Sequence, residues 1–238
     1  MIRRGMMVPE REFRFAEGEF LLVRKPAGWT SFDVVNRIRH LTGVRKVGHA
    51  GTLDPLATGL MIVCTGKRTR DLGTFSGLDK EYRVTMMLGE RTASQDAATP
   101  VIERRSTGGV TEESVRQVLA SFVGPGMQVP PMWSALKVGG KRLHALARKG
   151  VEVERAPRPI VIHAITPGTI AVPVVTMTVA CSKGTYVRTL VNDIGERLSC
   201  GAHVTALERT RIGDYRLDDA MTLETFEAVL APGRGKTG

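Results

Sequence analysis

Gly48-His49-Ala50-Gly51-Thr52-Leu53-Asp54-Pro55-Leu56-Ala57-Thr58-Gly59, running directly into Leu60-Met61-Ile62-Val63-Cys64, is the stretch around which the chain is organised. Its first part carries one acidic side chain, Asp54, among glycine, threonine and small apolar residues. Gly48 and Gly51 free the backbone for positive φ and close approach to a ligand, and Pro55 biases Asp54 toward extended angles. A carboxylate is thereby held on an ordered loop. The second part is a short apolar run of β-prone residues, as expected of a strand buried inside a sheet. A carboxylate at such a strand end is a candidate catalytic group, although Asp before Pro is also an ordinary turn residue that bonds its own backbone. The loop lacks the Lys-Ser/Thr ending of a phosphate-binding loop. His49 and Asp54, five apart with no Cys or His cluster nearby, make a poor metal shell.

On the N-terminal side, residues 1–18 mix charges without a period and read as an extension. Phe20 to Arg24 reads as a strand, Lys25-Pro26-Ala27-Gly28 as a turn, and Thr30 or Ser31 as the cap of a helix. Val34, Val35, Ile38 and Leu41 share one face of that helix, Arg37 and Arg39 point elsewhere as solvated residues, and Gly43 ends it.

On the C-terminal side, Lys80 to Leu88 alternates with Tyr82, Val84, Met86 and Leu88 on one face, which makes Tyr82 core or pocket wall. Residues 89–110 read as a loop. Thr111 caps a helix carrying Val115, Val118, Leu119 and Phe122, closed by Gly124 and Pro125. From Val151 onward β structure is expected at Val151 and Val153, at Ile160 to Ile165 and at Val172 to Cys181. A helix from Tyr186 to Leu198 carries Arg188 in its first turn, where the helix dipole disfavours a cation unless a carboxylate partners it. A last strand, His203 to Ile212, and an acidic helix, Thr222 to Leu230, precede a short tail, 231–238. Strands and helices interleave throughout, an α/β (α+β) pattern in one domain without repeats.

The 238 residues can bury a sizeable core, and 42% hydrophobic with 24% charged content is ordinary for a globular chain. The charge is less ordinary. Thirty-four Lys and Arg against 24 Asp and Glu give +10, which favours polyanionic partners. Cys64, Cys181 and Cys200 are odd in number and set in apolar stretches, as expected of reduced buried thiols in a cytoplasmic protein. No export signal or membrane-spanning run is apparent.

Between Gly124 and Gly150 the charge is one-sided. Lys137, Lys141, Arg142, Arg148 and Lys149 occur there with no Asp or Glu, beside His144 and Trp133. A Pro/Gly/Met loop followed by a short amphipathic helix with this composition suits an RNA backbone and a stacked base, or else a solvated helix.

Taken together these motifs resemble the TruB family of tRNA pseudouridine synthases, over roughly residues 19–230. LLVRKPAGWTS from Leu21, GHAGTLDPLATG from Gly48, KEYRVTMMLG from Lys80, VPPMWSALKVGGKRLHALARKG from Val129, CSKGTYVRTLVNDIG from Cys181 and GAHVTALERTRIG from Gly201 follow in the family's order. The resemblance implies the pseudouridine synthase fold, a mixed and mostly antiparallel central sheet flanked by helices, with 124–150 as an RNA-clamping insertion. It implies isomerisation of the T-loop uridine of tRNA, conventionally position 55, without metal or organic cofactor, by a monomer that binds the T-arm and no membrane.

By the same resemblance Asp54 is the nucleophile. Arg188 is the cation that keeps it charged, and Tyr82 stacks on a flipped uracil. Tyr186 and Leu207 line the pocket, His49 fills the space that the uridine leaves, and Lys25 supports the loop. Arg24 stands where Asp or Asn is common in the family, Trp133 where Tyr is common, and Thr92 to Asp96 keeps only part of an Asp-rich turn. The chain ends soon after Leu230, which implies that the C-terminal RNA-binding domain of many members is absent and that binding rests on the insertion. Two rival functions use the same residues: a non-catalytic RNA-binding or chaperone module, and a metal-dependent hydrolase built on His49 and Asp54.

Overall fold

The computed structural model describes residues 13–231. Strand β1 (Phe20–Lys25) leads into helix α1 (Ser31–Thr42). Thr30 is the cap: its hydroxyl accepts from the Asp33 N–H at 3.1 Å while the Asp33 carboxylate accepts from the Thr30 N–H at 2.8 Å. Gly43, at φ +70°, ends the helix. Ser31 has a different task. Its hydroxyl accepts from the Leu53 N–H at 2.8 Å, which fastens the start of α1 to the Asp54 loop.

That loop joins β2 (Val47–His49) to β3 (Thr58–Thr65), after which a 3₁₀ turn and α2 (Leu72–Ser76) lead to β4 (Lys80–Leu88). Residues 89–110, expected as a loop, contain an antiparallel hairpin of β5 (Glu90–Thr92) and β6 (Val101–Arg104). Its polar composition conceals it because charge rather than apolar burial holds it. Arg91 and Arg105 each bridge Glu103 and Glu196, which lies on a later helix.

Thr111 caps α3 (Glu112–Ser121) as expected. Gly124 and Pro125 do more than close it: β7 (Gly124–Gln128) pairs with a later strand at the edge of the main sheet, where a proline is tolerated. The basic segment continues as a short hairpin, β8 (Lys137–Val138) with β9 (Lys141–Arg142), and a five-residue helix, α4 (Leu143–Ala147). Residues 151–157 hold no strand; Val151 is exposed and finds no partner for its alternation. Then follow β10 (Arg158–Ala171), β11 (Val174–Cys181), α5 (Val187–Arg197), β12 (Ala202–Ile212), β13 (Tyr215–Arg216) and α6 (Leu223–Leu230).

The main sheet runs β1-β3-β12-β4-β11-β10-β7, with β2 added to β3 and β13 to β12. β12 is parallel to β3 and the other pairings are antiparallel. Apolar faces of α1, α3, α5 and α6 cover one side and meet Met61 and Val63 of β3 and Tyr82, Val84, Met86 and Leu88 of β4. On the other side Leu60, Ile62 and Cys64 pack with Phe75, Ile212 and Leu217. Burial on both faces explains why β3 is continuously apolar.

At the parallel junction Gly59 has φ +107°, and a Cβ there would lie 2.4 Å from the Arg209 carbonyl oxygen. Only glycine lets the Asp54 loop enter the sheet at this point.

Cys64, Cys181 and Cys200 are free and buried. Phe13 and Phe15 stack on each other and meet Phe226 edge-on, so residues 13–18 pack on the body. The rest of the N-terminal extension, and the tail after Ala231, lie outside the described residues. Arg37, expected to be solvated, pairs with Glu227 of α6. Among the described residues no helix is long and apolar enough to cross a membrane.

Candidate active site

Arg188, the second residue of α5, is buried with its side chain 4% exposed, against 37% for that of Asp54. It donates from Nε to Asp54 Oδ2 at 2.8 Å and from Nη2 to Oδ1 at 3.3 Å. Its other donors reach the Ser94 carbonyl at 2.5 Å and the Trp133 carbonyl at 2.7 Å. A second carboxylate, Asp96 Oδ2, lies 3.5 Å from Nε. Two carboxylates and two carbonyls thus offset the cost of a buried cation in the first turn of a helix. Asp96 is itself fixed, accepting from the Ser94 hydroxyl at 2.5 Å and the Ala98 N–H at 3.0 Å.

Two buried cations brace the loop from behind. Lys25, 0% exposed, donates through Nζ to the carbonyls of Pro26 at 2.9 Å, Trp29 at 2.5 Å and Pro55 at 3.3 Å. Burial lowers its pKa to about 8, with the attraction of Asp54 opposing the shift. All three of its donors are used on backbone. Arg209 donates through Nε to the Leu60 carbonyl at 2.8 Å and through Nη2 to the Gly51 carbonyl at 3.2 Å, so it grips both ends of the loop. The Tyr82 hydroxyl has its pKa raised, chiefly by burial, with the nearby charge of Arg209 opposing the shift. Tyr82 therefore stays protonated near neutrality.

Asp54 and Arg188 stand where two cavities meet. The smaller, about 350 Å³, is walled by Tyr82, Tyr186, Leu207 and Lys80. Lys80 is tied to the carbonyls of Ser76 at 2.7 Å and Leu78 at 2.5 Å, and burial lowers its pKa to about 8. Tyr186, just before α5, is held by both backbone groups: its N–H donates to Gln128 Oε1 at 2.8 Å and its carbonyl accepts from Nε2 at 3.1 Å. The larger cavity, about 670 Å³, is lined by His49, Trp133, Lys137, Arg142 and Arg148 together with Phe32. Burial, and secondarily the charge of Arg209, lower the His49 pKa, so the imidazole is neutral at neutral pH.

The structure therefore brings Asp54, Arg188, Tyr82, Tyr186 and Leu207 together and sets His49, Lys137, Arg142 and Arg148 beside them. Lys25 lies beneath the loop and lines neither cavity. Lys141 and Lys149 are exposed and lie outside both. Sequence reasoning missed Arg209, Lys80, Gln128 and the part played by Asp96. An arginine within the apolar alternation of β12 was the available signal for Arg209; nothing local marked Gln128. Among the described residues no group of three or more His, Cys, Asp or Glu could hold a metal ion, and His49 and Asp54 gain no third ligand.

Residues 39–187 match the model of the TruB family pseudouridylate synthase N-terminal domain. The chain belongs to the TruB family of pseudouridylate synthases. Residues 188–235 match the tRNA pseudouridylate synthase B C-terminal domain. The border between the two matches runs through the site, with Asp54 in the first and Arg188 opening the second, and β12 of the second lies between β3 and β4 of the first.

Two curated TruB relatives are tRNA pseudouridine synthase B of Phocaeicola vulgatus and of Chlorobium luteolum. The first is 48% identical over 218 residues, covering 89% of this chain and 93% of the relative. The second is 48% identical over 216 residues, covering 89% and 75%. Among solved structures, a Cbf5-Nop10-Gar1 complex matches at TM-score 0.71 and 30% identity, covering 90% of this chain. The archaeal box H/ACA sRNP Nop10-Cbf5 complex matches at TM-score 0.69 and 25% identity, covering 93% of this chain. This chain spans about half the length of each, 54% and 56%. The mixed, mostly antiparallel sheet described above is the TruB pseudouridine synthase fold.

Proposed function

We propose that this protein is a tRNA pseudouridine synthase that isomerises the T-loop uridine at position 55, with Asp54 as nucleophile on a flipped-out base. The observation that carries the reading is the Asp54 carboxylate, held by the buried Arg188 fork at the mouth of a cavity walled by two tyrosines and a leucine. A flat pyrimidine suits such walls: an aromatic face to stack on and apolar contact opposite. In the reaction the bond from ribose C1′ to N1 breaks and one from C1′ to C5 forms. The C5 proton is released, N1 gains one, and no redox partner is required. Asp54 attacks the ribose or the uracil ring and is regenerated when the new bond has formed. Protonated Tyr82 stacks on the uracil and leaves the C5 proton to another acceptor.

The flipped base enters the smaller cavity, and the neutral His49 imidazole, with Lys137, Arg142 and Arg148, receives the RNA in the larger one. Residues 19–230 act as the catalytic unit and 124–150 as the clamp on the T-arm, with Lys141 and Lys149 contributing charge at a distance. Lys25 supports the loop, and the enzyme works as a cytoplasmic monomer. The names of the TruB relatives support the tRNA substrate.

Incubation with an unmodified tRNA transcript in excess chelator, followed by nucleotide-resolution mapping of pseudouridine, tests this reading. Modification at position 55 alone is expected. Binding without any modification would instead favour the RNA-binding module, and cleavage of the transcript that occurs without chelator and stops with it would favour the hydrolase.

A further inference from the structure

Phe32 is 58% exposed, on the first turn of α1, yet it does not face bulk solvent alone: it lines the larger cavity with His49 and Asp54. Single exposed apolar side chains are common and need no function. What sets this one apart is its company. Arg39, two turns along α1, has its guanidinium carbon 5.7 Å from the centre of the Phe32 ring and is held there by donating to the Val47 carbonyl at 3.1 Å and to Asn36 Oδ1 at 3.2 Å. Arg39 and Arg45 line the next hollow along the surface. Arg45 and Lys46 are exposed and form no ion pair among the described residues. The nearest acid on that turn, Asp33, is engaged by the N–H and hydroxyl of Thr30.

An aromatic face that shares the larger cavity with Asp54, Lys137, Arg142 and Arg148 is therefore followed, along α1 and just beyond it, by three cations. Rings that offer a π-face to a base beside cations that follow a backbone are what a single strand of RNA recognises. An apolar protein partner would gain nothing from the unpaired charges.

We propose that Phe32, Arg39, Arg45 and Lys46 form a second bank of the RNA groove. In it Phe32 stacks on a nucleotide next to the isomerised uridine, and the three cations take phosphates of the strand leaving it. The proposal rests on the RNA-isomerase reading above and assigns the groove a wall that the insertion does not supply.

The test is binding of an unmodified tRNA transcript at several salt concentrations by wild type, Phe32→Ala, Phe32→Trp and the double variant Arg45→Ala/Lys46→Ala. Phe32→Ala is expected to weaken binding about tenfold, Phe32→Trp to restore it, and neither to change the salt slope. The double variant is expected to lower the slope of log affinity against log salt by about 2. Transcripts carrying 2-aminopurine on either side of the target uridine give a stacking readout: one should be quenched by wild type and not by Phe32→Ala. Wild-type affinity in Phe32→Ala, an unaltered slope in the double variant, or equal quenching by both proteins would overturn the proposal. Failure of the isomerase reading shows separately, as absence of pseudouridine in the wild-type reaction.

Discussion

Arg188 and Asp54, 134 residues apart in sequence, meet through two hydrogen bonds of 2.8 and 3.3 Å, with the guanidinium buried and the carboxylate open to the cavity. The planar fork satisfies Asp54, Ser94 and Trp133 at once. A lysine keeps the charge and loses that geometry. Arg188→Lys is therefore expected to lower the single-turnover rate about a hundredfold, the scale of a small misplacement at a reacting centre. RNA affinity, measured in parallel, should change far less. A rate near that of wild type would mean that charge alone suffices.

Asp96 also faces that guanidinium, 3.5 Å from Nε, and lines the larger cavity beside it. Asp96→Asn keeps the shape and removes the charge. It should slow the single-turnover rate about tenfold or more while leaving RNA binding nearly intact. Recovery of the wild-type rate on addition of a stabilising osmolyte would mark Asp96 as a folding residue instead.

Much of this arrangement could be read before any coordinates. The alternation in β4, the caps at Thr30 and Thr111 and the apolar run of β3 are local patterns, and the structure follows them. The carboxylate that Arg188 required by its place in α5 is Asp54, with Asp96 behind it. The hairpin of β5 and β6 was illegible because its stability comes from a cross-chain network of Arg91, Arg105, Glu103 and Glu196 rather than from periodicity. β7 was illegible because a Gly-Pro-Gly segment becomes a strand only beside β10. Val151 and Val153 erred the other way, an alternation with no neighbouring strand to use it. The role of Asp54 came from the family resemblance, since an Asp before Pro looks the same in any turn.

The insertion carries five cations that differ in placement. Lys137, Arg142 and Arg148 line the larger cavity, and Lys141 and Lys149 do not. Replacing the first three by Ala should lower the salt slope of tRNA binding by about 2 to 3, one phosphate contact each. Replacing the other two should lower it by less than 1. Equal effects would mean that net charge, not the cavity, governs binding.

Lys25 makes a pH signature. Its folded pKa of about 8 lies below the ordinary 10.5, so between those values the unfolded chain binds more protons. Stability relative to Lys25→Met should then be flat below about pH 8 and rise with pH up to about 10.5, by at most on the order of 3 kcal/mol. Lys80 shares the window and is present in both proteins, so it cancels. Urea unfolding of the two proteins across this range measures the difference. A difference that falls with pH would mean that Lys25 gains a carboxylate partner on folding.

The most direct measurement is release of tritium from uracil C5 in a labelled, unmodified tRNA transcript, followed for wild type and for Asp54→Asn, with transcript binding measured on both. Release by wild type, none by Asp54→Asn, and affinities within a few-fold of each other are expected, because the nucleophile proposed for Asp54 would serve chemistry more than docking. Release by Asp54→Asn at the wild-type rate, or its loss together with tRNA binding, would remove Asp54 from the centre of the mechanism.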